Sequence, residues 1–268
     1  MTSAMLFYVI MPVAPTFLEN VFSRTNETKS FDFVMKGEFP VNNMRHYYFE
    51  IFIFDMLVCV ATVFVLGAVD STYAACTEHC IGLFGLLKFR LVNLTPKISQ
   101  NYSDLANSNY DQDDATYNFF VDTIKLHQKS IRFAEILKTS YSLTFLILMG
   151  ATVIYSSLVC TLILLKGDEL KDRLRYSGIF VGLLIHLFYI SWPGQKLIDH
   201  STGLFDDAYT NKWYECNFRT KNLLRIVRLR CLTPCQLTAS DLYIMNFPNF
   251  AAVLKTSMSY MTVLASFI

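Results

Sequence analysis

Between Tyr141 and Leu165 the chain carries no charged side chain. A lipid core needs about 20 mostly apolar residues in helical form. Lipid offers the backbone no hydrogen-bond partners, so a run of this kind reads as a helix crossing a membrane. Other runs share the character. One extends from Tyr47 to Val69, with Glu50 and Asp55 near its start and helical periodicity continuing past Asp70 to about Leu91. Another, Tyr176 to Gly194, holds one ionisable residue, His186, and ends at Trp192-Pro193-Gly194. The last, Phe247 to Ile268, carries one cation, Lys255. A shorter run within residues 4–17 contains Pro12 and Pro15 and has no basic residue before it. It reads as the tail of a helix whose beginning is missing, not as a signal peptide.

Composition agrees with a membrane protein. Hydrophobic residues make up 53% of the chain and charged residues 17%, where a soluble domain has about 25% charged. The formal net charge is +1, which gives no pull toward nucleic acid. No linker or low-complexity tract divides the sequence. The expected fold class is all-α: one polytopic transmembrane helix bundle with spans near 47–69, 141–165, 176–194 and 247–268, plus the remnant at 4–17. Residues 92–118 and 195–245 are expected as polar stretches between spans.

The polar stretches set an orientation. Residues 88–138 hold Lys88, Arg90, Lys97, Lys125, Lys129, Arg132 and Lys138, and residues 195–245 hold Lys196, Lys212, Arg219, Lys221, Arg225, Arg228 and Arg230. Fewer cations flank the opposite ends: Arg24, Lys29, Lys36 and Arg45 before the first full span, and Lys166, Lys171, Arg173 and Arg175 in a short loop. The positive-inside rule places the two long stretches inside and the C-terminus outside. Asn26-Glu27-Thr28 is then an external sequon open to glycosylation, whereas Asn93 and Asn101 lie inside.

Few constellations suggest chemistry. The seven cysteines, Cys59, Cys76, Cys80, Cys160, Cys216, Cys231 and Cys235, avoid the outer loops, which argues against a disulfide framework. Cys76 and Cys80 flank His79, yet no second ligand pair is near, so helix packing is favoured over metal. Asp111-Gln112-Asp113-Asp114 lacks the glycine and distal glutamate of a calcium loop and reads as solvated loop. No catalytic pattern is present, and no cofactor or metal is expected. His186, mid-span, is either a functional group or a neutral histidine packed on a neighbouring helix. Glu50 and Asp55 either line a vestibule or face headgroups. Residues 219–230 form a basic helix with apolar positions Leu223, Leu224, Val227 and Leu229. It is expected to pack that side on a partner, with contact to anionic lipid or calmodulin as the other reading.

The final span is unusually polar. Thr256, Ser259 and Val263 share one helical face at i, i+3 and i+7. Such a face either glues helices together or lines a water-filled path.

The C-terminal residues Leu237-Thr238-Ala239-Ser240-Asp241-Leu242-Tyr243, with Asn246, Phe250 and Val253 to Tyr260, closely resemble insect odorant receptors. Ser201, Ala208-Tyr209 and Trp213 match the pattern upstream. His127 and the helix leading to Tyr141 resemble the approach to the family's fifth helix, and Val69-Asp70-Ser71 its fourth. The chain departs where the family usually has Gly-Lys, at Ser240-Asp241. Set against seven helices, it lacks the first two and most of the third, as a truncated gene model, splice form or fragment would.

The resemblance implies a subunit of an odorant-gated, non-selective cation channel in the plasma membrane of olfactory sensory neurons. It implies a heterotetramer with the odorant receptor coreceptor, and a small volatile hydrophobic odorant as ligand. On that reading Thr256, Ser259, Tyr260 and Val263 are pore-lining candidates. Trp213, Leu237, Thr238, Tyr243 and Phe250 are candidates for subunit anchoring. Tyr47, Phe54 and Met56 are odorant-pocket candidates from their height in the membrane alone. The competing classes are a metabotropic receptor coupled to G proteins, for which Asp-Arg-Tyr and Asn-Pro-x-x-Tyr signatures are missing, and a nonfunctional fragment.

Overall fold

The computed structural model describes residues 48–92, 109–165, 170–210 and 213–266, and these are overwhelmingly helical. Helix α1 runs Tyr48–Val92, α2 Asn109–Leu165 and α3 Leu170–Thr210. A 3-10 turn at Trp213–Glu215 precedes α4, Phe218–Cys231. A short hairpin follows, β1 Thr238–Ala239 and β2 Tyr243–Ile244, and then α5, Phe247–Ser266. The remnant at 4–17, Tyr47 and the sequons at Asn26, Asn93 and Asn101 lie outside the described residues.

Two boundaries differ from expectation. Asp111, Asp113 and Asp114 belong to the opening turns of α2, not to a loop. Pro193 does not end its helix either, because α3 continues to Thr210. Among the described residues, segments of α1, α2 and α3 are long and apolar enough to cross a membrane. The more polar α5, expected as a further span, is not among them.

The residues form two compact units, and the division cuts each of the four long helices once. One unit holds α1 to Thr72, Ala151–Leu187 and α5 from Val253 onward; the other holds Tyr73–Gly150 and Phe188–Ala252. The second has an extensive core. Tyr73, Phe84, Leu87, Phe120, Leu197, Leu204, Leu237 and Met245 are all essentially sealed from solvent. Burying one such side chain from water is worth roughly 1.5–3 kcal/mol. The first unit has a small cluster of Val159, Cys160 and Phe180, with Tyr176, Ile179, Leu184 and Met261 packed around it. Its helices otherwise present large apolar groups outward, among them Phe64, Val65, Ile154 and Leu158. That is the surface expected of helices facing lipid, where no hydrophobic force drives helices together.

Helix α4 buries Thr220, Leu224, Val227 and Cys231. Leu229, expected on the packed side, is instead exposed beside Ile226. Arg228 lays its guanidinium over the rings of Phe205 and Tyr209, 4.6 and 5.0 Å from their centroids, so the basic helix is tied to α3 by cation–π contact. Arg230 Nη1 donates to the Thr233 carbonyl at 2.9 Å and closes the helix end.

Candidate functional site: the final helix and its mounting

The hairpin before α5 pairs Thr238 with Ile244 and Ala239 with Tyr243. Its turn is closed by the Leu242 N–H on the Ala239 carbonyl, 3.0 Å. Ser240 and Asp241 at its centre have φ of 50° and 56°. Two consecutive positive φ values mark the primed turns whose twist suits a hairpin, and glycine takes them at least cost. Here side chains hold the turn instead. Asp241 Oδ1 accepts from Thr238 Oγ1 at 3.0 Å and Lys138 Nζ at 2.6 Å, and the Ser240 N–H donates to Ser142 Oγ at 3.0 Å. The hydrogen bond from Lys138, joined by that from Thr238, keeps the Asp241 carboxyl below the usual range. Burial pushes the Tyr243 phenol up to about 12.

Asn246 starts the last helix as its N-cap: Oδ1 accepts the Asn249 N–H at 2.9 Å. Pro248 falls in the first turn, where a missing N–H costs nothing. Of the pore-lining candidates, Thr256, Ser259, Tyr260 and Val263 are all exposed. Ser259 gives its carbonyl to Thr262 Oγ1 at 2.8 Å, and the Tyr260 hydroxyl accepts from Ser157 Oγ of α2 at 3.3 Å. Ser257 and Met261 are less open, so the small polar face is turned away from the packed side.

The anchoring candidates fall in different surroundings. Leu237 and Thr238 are buried in the chain's own core. Tyr243 and Phe250 are half-buried, and Trp213 lies against Tyr209 and Tyr214. Of the pocket candidates, Phe54 is 60% exposed and Met56 half-buried. Neither lines the small cavity among Leu87, Phe120, Thr123, His127, Leu204 and Val227, which has scarcely room for one water. Cys80 is buried and Cys76 half-buried, and among the described residues no group of His, Cys, Asp and Glu is arranged to hold a metal.

One pairing was not foreseen. His186 of α3 places Nε2 2.9 Å from Oδ2 of Asp70 on α1, with the carboxylate side chain 4% exposed and the imidazole 22%. His186 stood out in the sequence as a mid-span ionisable residue, whereas Asp70 entered only as part of Val69-Asp70-Ser71. A buried carboxylate within an apolar helix demands a partner, and His186 is the neighbour that supplies it.

A model of the 7tm Odorant receptor family matches residues 1–258. The chain belongs to that family. The odorant receptor chain is 25% identical to odorant receptor 49a of Drosophila melanogaster over 152 residues, covering 55% of this chain and 37% of that one. It is 24% identical to odorant receptor 22c of the same fly over 214 residues, 77% of this chain and 50% of the other. It is 23% identical to the odorant receptor coreceptor of Harpegnathos saltator over 145 residues, 53% and 29%. The insect olfactory receptor OR5 of Machilis hrabei has the same fold: TM-score 0.76 at 15% identity, covering 99% of this chain and 63% of that one. Its complex with eugenol gives 0.68 at 14% identity, with the same coverage. The chain thus spans half or less of these curated relatives and under two thirds of the solved receptor. It is a multi-pass membrane protein with the insect odorant receptor fold.

Proposed function

We propose that the chain acts as an odorant-recognising subunit of a non-selective cation channel, assembled as a heterotetramer with the odorant receptor coreceptor in the plasma membrane of olfactory sensory neurons. The family match across residues 1–258 carries this reading. The exposed small polar face of α5 supports it, since a permeation path needs polar groups or small side chains on its wall. On this reading Thr256, Ser259, Tyr260 and Val263 line the path. The hairpin region around Leu237, Thr238, Tyr243 and Phe250, with Trp213, holds the subunit in the assembly, and Tyr47, Phe54 and Met56 face a small hydrophobic odorant. On the same reading the chain supplies part of one odorant receptor transmembrane domain.

The test is co-expression with a coreceptor and recording of odorant-evoked current, compared with cells carrying the coreceptor alone. A cation current with an odorant ranking that appears only when both chains are present supports the reading. Coreceptor-only behaviour, with this chain at the cell surface and bound to the coreceptor, would sink it.

A further inference from the structure

Helix α5 begins against a proline turn. Pro193 has no N–H for the carbonyl one turn earlier, and its ring crowds that carbonyl. Beside this opening, the Tyr73 hydroxyl donates to the Ile190 carbonyl at 3.0 Å from a side chain 1% exposed. Phe145 and Tyr141 pack on the Tyr73 ring with centroids 5.0 and 5.4 Å away. A buried phenol therefore holds the turn in one geometry.

The same turn grips the start of the last helix from both sides of the proline. Before it, Phe188 stacks on Phe247 with centroids 5.6 Å apart and planes 4° from parallel, and meets Phe250 edge-on. After it, Gly194 admits the backbone of Met245. A Cβ on Gly194 would overlap the Met245 carbonyl oxygen and come within 2.9 Å of its Cβ. Gln195 Oε1 then accepts the Phe247 N–H at 3.2 Å, satisfying one of the donors that a helix N-terminus leaves open.

We propose that Phe188, Gly194 and Gln195 are positioning residues that set the rotational register of α5. The helix is continuous, and each residue advances about 100° around its axis. Whatever seats Met245 and Phe247 therefore fixes the azimuth of Thr256, Ser259 and Val263. Gly194 makes the seat possible by its missing side chain, Gln195 fixes the first turn by one directed bond, and Phe188 keeps it from rolling. The functional consequence rests on the reading of α5 as a pore wall; the register itself is measurable without it.

The contact between Ser157 and Tyr260 reports that register. Ser157→Cys is combined in turn with Ser259→Cys, Tyr260→Cys or Met261→Cys in the full chain in membranes. Each pair is joined by a short bifunctional thiosulfonate that spans the space of the Tyr260 ring. Yield is measured against the Ser157→Cys single variant, which carries the chain's own thiols. The otherwise unchanged chain should crosslink best at position 260. Gly194→Ala and Gln195→Leu should move the maximum to a neighbouring position or flatten it, while Gln195→Glu, which keeps the acceptor, should retain it. If Gly194→Ala does not reach the membrane, Gln195→Leu decides alone. A maximum that stays at 260 in Gln195→Leu, or that is absent in the unchanged chain, overturns the proposal. A separate measurement, reaction of Ser259→Cys with an aqueous thiosulfonate, addresses the pore. Failure there with the crosslink pattern intact removes the pore reading and leaves the positioning role standing.

Discussion

His186 and Asp70, on different helices and 116 residues apart, meet at 2.9 Å with the carboxylate almost wholly enclosed. Removing one member of a buried pair strands the other, at a cost of about 3–5 kcal/mol, whereas replacing both with apolar residues is often close to neutral. Asp70→Leu/His186→Leu should therefore unfold in detergent nearer to the unchanged chain than His186→Leu does. Thermal unfolding followed by size-exclusion fluorescence distinguishes them. A double variant as unstable as the sum of the singles would mean that the two groups do not depend on each other.

Ser240 holds a φ of 50° that a side chain resists. Ser240→Gly should stabilise the chain by about 1 kcal/mol, the usual penalty for a non-glycine residue in this region. The same assay checks it, and a loss of stability would show that the hydroxyl contributes more than the turn costs.

Asp241 gives a pH dependence with a definite sign. Its carboxyl is held below the usual range, first by the hydrogen bond from Lys138. The folded form thus keeps the charge to lower pH than the unfolded chain, whose Asp ionises at about 3.9. The contribution is complete above that value and is lost as pH falls through the lower folded one. Asp241→Asn should therefore flatten the acid limb of stability and leave its shape near neutrality unchanged. An altered profile above the ordinary carboxylate range would point to a different group.

Location separates permeation from tuning. Ser259→Trp fills the small polar face of α5 and should reduce or reshape current for every odorant alike. Phe54→Ala should reorder odorant preference and leave ion selectivity as it was. Reversal potential and odour ranking, measured for both variants in cells that also express the coreceptor, decide between them. The assignment of α5 to the pore fails if Ser259→Trp alters ranking alone and Phe54→Ala selectivity alone.

Orientation is open to a chemical check. Asn26 should accept glycan, Asn93 and Asn101 should not, and a tag after Ile268 should be labelled on intact cells. Labelling only after permeabilisation would reverse the topology.

The long helices were legible because apolar runs of this length have few other solutions. Less local features were not. The start of α2 at Asn109 was hidden by polar side chains that suit a loop equally well. Pro193 marks the end of an apolar run in the sequence, and the polar residues after it gave no sign that α3 continues to Thr210. The hairpin carried no Asn-Gly or Asp-Gly; the signal was the family's usual glycine at the place of Ser240, whose φ the structure shows to be positive. That Thr256, Ser259 and Val263 share one face of α5 was readable from spacing, but whether that face is packed or open was not, nor were the residues at its seat, since Gly194 acts through what it lacks.

Helix α2 runs Asn109–Leu165, 57 residues, and at 1.5 Å per residue is about 85 Å long, against a hydrocarbon core of about 30 Å. Even allowing for headgroups, a large part of it lies beyond the hydrocarbon core. There burial of apolar surface drives packing in the ordinary way, whereas between lipid-exposed segments that force is absent. The chain therefore behaves thermodynamically as two materials joined along single helices. Urea, which weakens apolar burial from the aqueous phase, should loosen the water-borne packing around Lys125–Lys138 while the spans stay helical.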